Sequence, residues 1–143
     1  MTESPTLRAA IVVHKRLEPA AAANAAAILM GQLAHLEPRL YAAGGVVGLD
    51  GVRHAGIRFD TVVLTGRPGQ VEKLLAAAVD EGLPHAAFSA KGRELSNSFE
   101  EYRELVARST AADVDVFAVG VVGEESRVRA LTKPFSSYRG AVG

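Results

Sequence analysis

Four short apolar runs, each bounded by polar or turn-forming residues, predict the strands of a sheet. The runs at 7–13 and 61–65 are rich in β-branched residues, and the run at 114–122 is the clearest of the four. A weaker run at 83–90 is opened by Pro84. Because these runs are apolar on both faces, we expect helices to cover both sides of the sheet.

The segments between these runs have the apolar spacing of helices. The pattern predicts helices over 20–36 and 70–81, a third from Asn97 or Ser98 to Val106, and a short last helix opened by Glu124. Strand and helix therefore alternate four times along the chain. This order predicts an α/β protein, built as a three-layer α/β/α sandwich with a four-stranded sheet.

Small residues in these elements indicate where layers approach each other closely. Gly31 and the many alanines of the first helix suggest that this helix packs tightly against the sheet. Gly120 and Gly123 in the last strand are expected to serve packing and a tight strand exit. His35 and His85 are expected at the surface, and Tyr102 is expected on an amphipathic helix with its hydroxyl at the surface.

Length and composition predict one domain with no general attraction to polyanions. A chain of 143 residues is most simply a single domain, here with an ordered core of about residues 7–131. Basic and acidic side chains balance at 16 each, which lowers the expectation of a nucleic-acid or membrane partner. Cysteine is absent, and the first residues lack the pattern of a secretory signal. We therefore expect a soluble, cytoplasmic protein.

A glycine-rich segment at 44–57 is the first place to look for a site. Five glycines fall within thirteen residues, and Asp50 and His54 lie among them, four positions apart. They could form a base with its orienting carboxylate, or bind a metal with a third ligand. No third ligand is evident, so no metal site is predicted. The favoured alternative is a hairpin turn at Asp50 and Gly51, with His54 on the strand that follows.

The apolar side chains of this segment lead to an expectation about its placement. Valine, leucine and isoleucine side chains gain about 1.5–3 kcal/mol each on burial, so we expect the segment to fold back over the sheet. His54 would then approach His14 and Asn24. The side chains concerned are Val46, Val47, Leu49, Val52 and Ile57.

Further candidates follow from their positions at element ends. His14 and Lys15 precede the first helix, where helix N–H groups favour an anion, although a solvated surface run is the favoured alternative. Thr65 and Ser89 end strands at the edge where α/β sheets bind ligands. Asn24, inside an alanine-rich helix, is either a ligand contact or a buried anchor, and the anchor is favoured.

Several short motifs, in this order, resemble a known bacterial family. They are Asn24 with the three alanines after it, Asp50 and Gly51, residues 54–57, and Tyr138 to Gly140. The chain resembles the domain-of-unknown-function two-thousand family over roughly residues 7–131. That family shares the fold of the type-two peptidyl-tRNA hydrolases, which implies a mixed four-stranded sheet between helices and often a dimer.

The resemblance implies no activity of its own. The hydrolases carry lysines in the loop before the first helix, suited to a tRNA backbone. The matching loop here, residues 16–21, has Arg16 as its one basic residue, with an acid and a proline. Inherited hydrolase activity is therefore not expected.

The sequence favours a small-ligand-binding protein or an enzyme whose reaction, catalytic residues and cofactors stay unassigned. Its pocket is predicted where His14, Asn24, Thr65, Ser89 and the 50–54 loop converge. One alternative is a hydrolase or binder of nucleic acid, which a basic patch around Lys15, Arg16 and Arg53 would support. The other is a homodimeric interaction module, which would place the 44–57 segment in an interface.

Overall fold

The four predicted strands and the four predicted helices are all present. A computed structural model describes residues 6–95 and 97–139; Gly140 of the last motif, like the other residues beyond these ranges, lies outside the described part. The strands are β1 (Leu7–His14), β2 (Val46–Val47), β3 (Arg53–His54), β4 (Asp60–Gly66), β5 (His85–Ser89), β6 (Val116–Glu124) and β7 (Ser136–Ser137). The helices are α1 (Pro19–Leu36), α2 (Pro68–Glu81), α3 (Ala90–Glu94), α4 (Phe99–Ala107), α5 (Ala111–Val114) and α6 (Glu125–Thr132), with a 3₁₀ turn at Pro38–Leu40.

The main sheet is mixed, and it has five strands in the order β5-β6-β1-β4-β7. β1 and β4 run parallel, while β6 is antiparallel to both β1 and β5. The prediction of four strands is wrong, because Ser136 and Ser137 add an antiparallel edge strand to β4. Two serines carry neither apolar alternation nor β-branching, so the sequence pattern offers no sign of this strand.

Helices cover both faces of this sheet, as the strand composition predicts. Side chains of β1 alternate between the faces: Ile11 and Val13 pack in the core under α1, and Ala10 and Val12 pack in the core under α2. α6 joins α2 on the second face through Val128. No helix in the described part of the chain is long and apolar enough to cross a membrane.

The 44–57 segment forms a hairpin outside the main sheet. β2 and β3 pair antiparallel, and the Asp50 carboxylate accepts a hydrogen bond from the Val52 amide at 3.1 Å, so the predicted turn at Asp50 and Gly51 is confirmed. A bridge between Tyr41 and Ile57 anchors the base of the hairpin.

The predicted burial of this hairpin is wrong. Its apolar side chains are exposed: Val46 59%, Val47 53%, Leu49 112%, Val52 50% and Ile57 44%. The chain passes from the hairpin into β4 at Asp60, which pairs with Arg8 near the start of β1. α1 spans about 27 Å at 1.5 Å per residue, so it carries the chain back to this end of the sheet, away from His14.

Candidate functional site

A groove of about 1140 Å³ lies on the α2 side of the sheet, over the edge strand β5. Helix α2 forms one wall, and α4 with α5 forms the other. The apolar lining includes Val71, Leu75, Ala76, Val79, Ala87, Val106, Ala111, Ala112, Val114 and Val116. The polar lining includes His14, Glu72, Asp80, His85, Ser89, Tyr102, Ser109, Thr110 and Asp115.

The wall formed by α5 is short but well defined by local hydrogen bonds. The helix starts with a capping box, in which the Asp113 carboxylate accepts the Thr110 amide at 2.9 Å. This hydrogen bond lowers the pKa of Asp113. The helix ends at Val114 and is followed by Asp115, whose φ of 62° lies in the left-handed region. Its carbonyl accepts the Ala90 amide at 3.0 Å, which ties the wall to the end of β5.

Among the described residues other than glycine, Asp115 is the one with a positive φ. The left-handed conformation costs roughly 1–2 kcal/mol for a residue with a Cβ, and aspartate and asparagine tolerate it best. Such residues concentrate at functional sites, where the surrounding structure holds them. Asp115 therefore joins the site on the basis of both its backbone and its place in the groove lining.

His14 lies half-buried at the end of β1 and lines the groove. Burial lowers its pKa below the ordinary value of 6.5, and the nearby carboxylates of Asp115 and Glu72 only partly oppose this effect. The imidazole is therefore neutral at neutral pH. A neutral imidazole has one nitrogen that accepts a proton or a hydrogen bond, so His14 can serve as a base toward a bound molecule.

The charge of the groove is negative. Among the described residues that line it, Glu72, Asp80 and Asp115 are carboxylates, and none is lysine or arginine. Carboxylates in a partly enclosed site repel phosphate and other anions. The basic patch that a nucleic-acid binder would need is not part of this lining.

Two predicted site residues line the groove, and two others lie at the same end of the sheet but outside the lining. His14 and Ser89 both line it, and the Ser89 hydroxyl accepts the Gly92 amide at 3.0 Å, which begins α3. Thr65 lies at the same edge, in register with Val13, but it faces the α1 side, and its hydroxyl donates to the Ser136 carbonyl at 3.5 Å. Lys15 follows His14 and is exposed outside the groove.

The remaining three predicted residues lie elsewhere. Asn24 is exposed on α1, whose buried stripe runs through Ala22, Ala25, Leu29 and Leu33, so the expectation of a buried anchor is wrong. Asp50 and His54 are exposed on the hairpin at the opposite end of the sheet. The predicted convergence of His54 with His14 is therefore wrong, because α1 carries the chain away from the end of β1 before the hairpin begins. No three His, Asp or Glu side chains among the described residues could hold a metal ion.

Sequence reasoning missed Glu72, Asp115, His85 and Tyr102 in the groove. The expectation that His85 lies at the surface is wrong, because it is half-buried in the lining; Tyr102 is half-buried there as well. Tyr102 also packs near α3, since a Cβ on Gly92 would lie 3.0 Å from its ring. Asp115 directly precedes β6, and the first residue of β6 pairs with Ser89 at the end of β5. Knowledge of the strand order would therefore have placed Asp115 beside Ser89, at the same edge of the sheet.

Fold and site together define a mixed α/β domain with an acidic, partly apolar groove at the edge of its sheet. A family model described as "Protein of unknown function (DUF2000)" matches residues 7–139, nearly the whole chain. The chain therefore belongs to this family.

One solved structure supports the architecture. It is a protein of unknown function from Agrobacterium tumefaciens strain C58, with a TM-score of 0.80 and 11% sequence identity. The match covers 93% of this chain and 98% of that one. At this identity the likeness concerns the fold alone. Among curated proteins, no match to the chain was found.

Proposed function

We propose that this protein binds a small organic molecule in the groove between α2 and the α4–α5 wall. The observation that carries the proposal is the combination of a concave, largely apolar lining with His14 and two carboxylates, Glu72 and Asp115, that are near enough to raise its pKa against the effect of burial. Ligand sites have this composition, because the apolar surface supplies affinity and a few polar groups fix orientation.

Exposed apolar side chains in both walls support the same proposal. Val79 on α2 is 60% exposed and Val106 on α4 is 42% exposed, and both line the groove. A ligand between the walls would remove this surface from water. His14 adds the means for proton transfer, so an enzyme of this site would use it as general base.

A blocking substitution tests the proposal. Fragment binding is followed by amide chemical shifts of the full chain, and we expect the perturbed amides to surround the groove. Ala76 lines the groove from an exposed position on α2, so Ala76→Trp should fill it and abolish binding. Lys73→Trp changes an exposed residue of the same helix that is not among the lining residues, and it should preserve binding. Fragments that bind equally to both variants would contradict the proposal.

We propose a second role for the hairpin, as the interface of a homodimer. Its exposed apolar side chains form a ribbon that nothing in the described chain covers, and an isolated two-stranded hairpin is marginally stable in water. A two-fold axis would place the same ribbon of a second copy against it, as isologous interfaces require.

The dimer is tested by molar mass in solution. Leu49, fully exposed at the hairpin tip, is changed to glutamate, and Leu36→Glu on α1 serves as the matched control because Leu36 is 46% exposed. We expect a wild-type dimer, a monomeric Leu49→Glu variant and a dimeric control. A monomeric wild type, or a Leu49→Glu variant that remains dimeric, would exclude the hairpin as the interface.

A further inference from the structure

We propose that the ligand of the groove is an organic ammonium compound, whose charged nitrogen lies between Glu72 and Asp115 and whose apolar body lies between α2 and α4. This inference rests on the proposed ligand-binding function and names the chemical class of the ligand. Three features of the groove support it: the placement of its polar groups, the sign of its charge and the protonation state of His14.

The polar end of the groove is assembled from three separate elements. His14 comes from the end of β1, Glu72 from the first turns of α2, and Asp115 from the residue after α5. All three line the same cavity. Alanine, valine and leucine make up most of the rest of the lining, so a ligand that fills the groove would be largely apolar along its length. Polar residues are also present there: Asp80, His85, Tyr102, Ser109 and Thr110.

The sign of the charge selects a cation. Asp80 is a third carboxylate in the lining, and the described lining residues contribute no lysine or arginine to balance it. An anionic ligand would lose hydration and gain no partner there. A neutral ligand would gain no charge attraction from the two carboxylates at the polar end. An ammonium group could pair with both carboxylates, since it is positively charged and donates up to three hydrogen bonds.

The state of His14 is consistent with this assignment. Burial lowers its pKa, so the imidazole adds no positive charge that would repel a cation at neutral pH. Its unprotonated nitrogen is a third acceptor beside the two carboxylates.

Binding of three probes with one apolar skeleton tests the inference in the full chain. Phenylbutylamine, phenylbutanol and phenylbutyrate are titrated by calorimetry at neutral pH. We expect the amine to bind most tightly and the carboxylate least. Both carboxylates are solvent-accessible, so Glu72→Gln and Asp115→Asn should each weaken amine binding about three- to fivefold. Asparagine is chosen at 115 because it tolerates the left-handed backbone. Alcohol binding should be unchanged.

Glu101→Gln is the matched control, because Glu101 is an exposed residue of α4 that is not among the groove lining. It should leave the affinity for the amine unchanged. The ammonium assignment would be overturned if the amine and the alcohol bound equally well, or if Glu72→Gln and Asp115→Asn left the affinity for the amine unchanged. The groove would still be a ligand site in either case. If none of the three probes binds, the proposed function fails as well.

Discussion

Gly120 marks the closest approach between α1 and the sheet, and its replacement by alanine tests this part of the fold. Gly120 pairs with Ile11 across β6 and β1. A Cβ at this position would lie 2.9 Å from Ile11 Cδ1 and 3.0 Å from Leu33 Cδ1, and both side chains are fully buried. These distances are too short for carbon atoms in contact, so the core must shift or α1 must move outward.

The size of the effect follows from two opposing contributions. Overpacking a filled core by one methyl costs about 1–3 kcal/mol. Alanine in place of glycine in a strand gains about 0.5–1 kcal/mol, because the unfolded chain loses less backbone entropy on folding. The cost of overpacking exceeds this gain, so we expect a net destabilisation of about 1–2 kcal/mol. At about 2–4 °C per kcal/mol for a domain of this size, the melting temperature should fall by about 2–8 °C.

Chemical denaturation and a double-mutant cycle give the measurement. Ile11→Val removes the Cδ1 atom nearest to the new methyl, so the pair of substitutions should cost less than the sum of the two by about 1 kcal/mol. Gly31→Ala is the control, because nothing lies within 4 Å of a Cβ there, and alanine should stabilise α1 by about 0.5–1 kcal/mol. A Gly120→Ala protein as stable as the wild type, or strictly additive effects, would refute the close packing of α1 on the sheet.

Three further predictions concern His14, Asn24 and hydrolase activity. Burial lowers the pKa of His14 below 6.5, so as the pH falls this histidine is protonated in the unfolded chain before it is protonated in the folded protein. The stability of the wild type should therefore fall relative to His14→Gln as the pH drops below about 6.5. Melting temperatures of the two proteins that run parallel with pH would contradict this. Asn24→Ala should leave the melting temperature unchanged or slightly raised, since Asn24 is exposed on a helix; a large decrease would indicate a hidden partner. An N-blocked aminoacyl-tRNA should not be hydrolysed, because acidic groups line the groove, and turnover that is lost on substitution of Lys15 and Arg16 would contradict this expectation.

The sequence predicts the larger elements of the fold well and the short ones poorly. Strands such as 114–122 have a dense apolar pattern that allows few alternatives, and the structure confirms β6 at Val116–Glu124. α3 and α5, of five and four residues, are too short to show a helical period. β7 is held by pairing with β4, which is a tertiary effect without a local sequence pattern.

Reasoning from strand ends leads to two residues of the groove lining, whereas the argument from burial misplaces the hairpin. His14 and Ser89 can be found from the sequence because strand termini at one edge of an α/β sheet converge. The hairpin is misplaced by the assumption that apolar residues such as Leu49 are covered by the chain itself. Glu72 cannot be predicted without knowing which face of α2 borders the groove. Asp115 cannot be predicted without knowing the order of the strands in the sheet.

The two proposed functions occupy opposite ends of the sheet, and the topology explains why. β1 and β4 are parallel, so His14 and Gly66 end at one edge, while Arg8 and Asp60 begin at the other. α1 returns the chain to that second edge, where the hairpin stands clear of the core. No described residue that lines the groove belongs to the hairpin. Dimerisation through the ribbon would therefore leave the groove accessible, so ligand binding and assembly are compatible in one molecule.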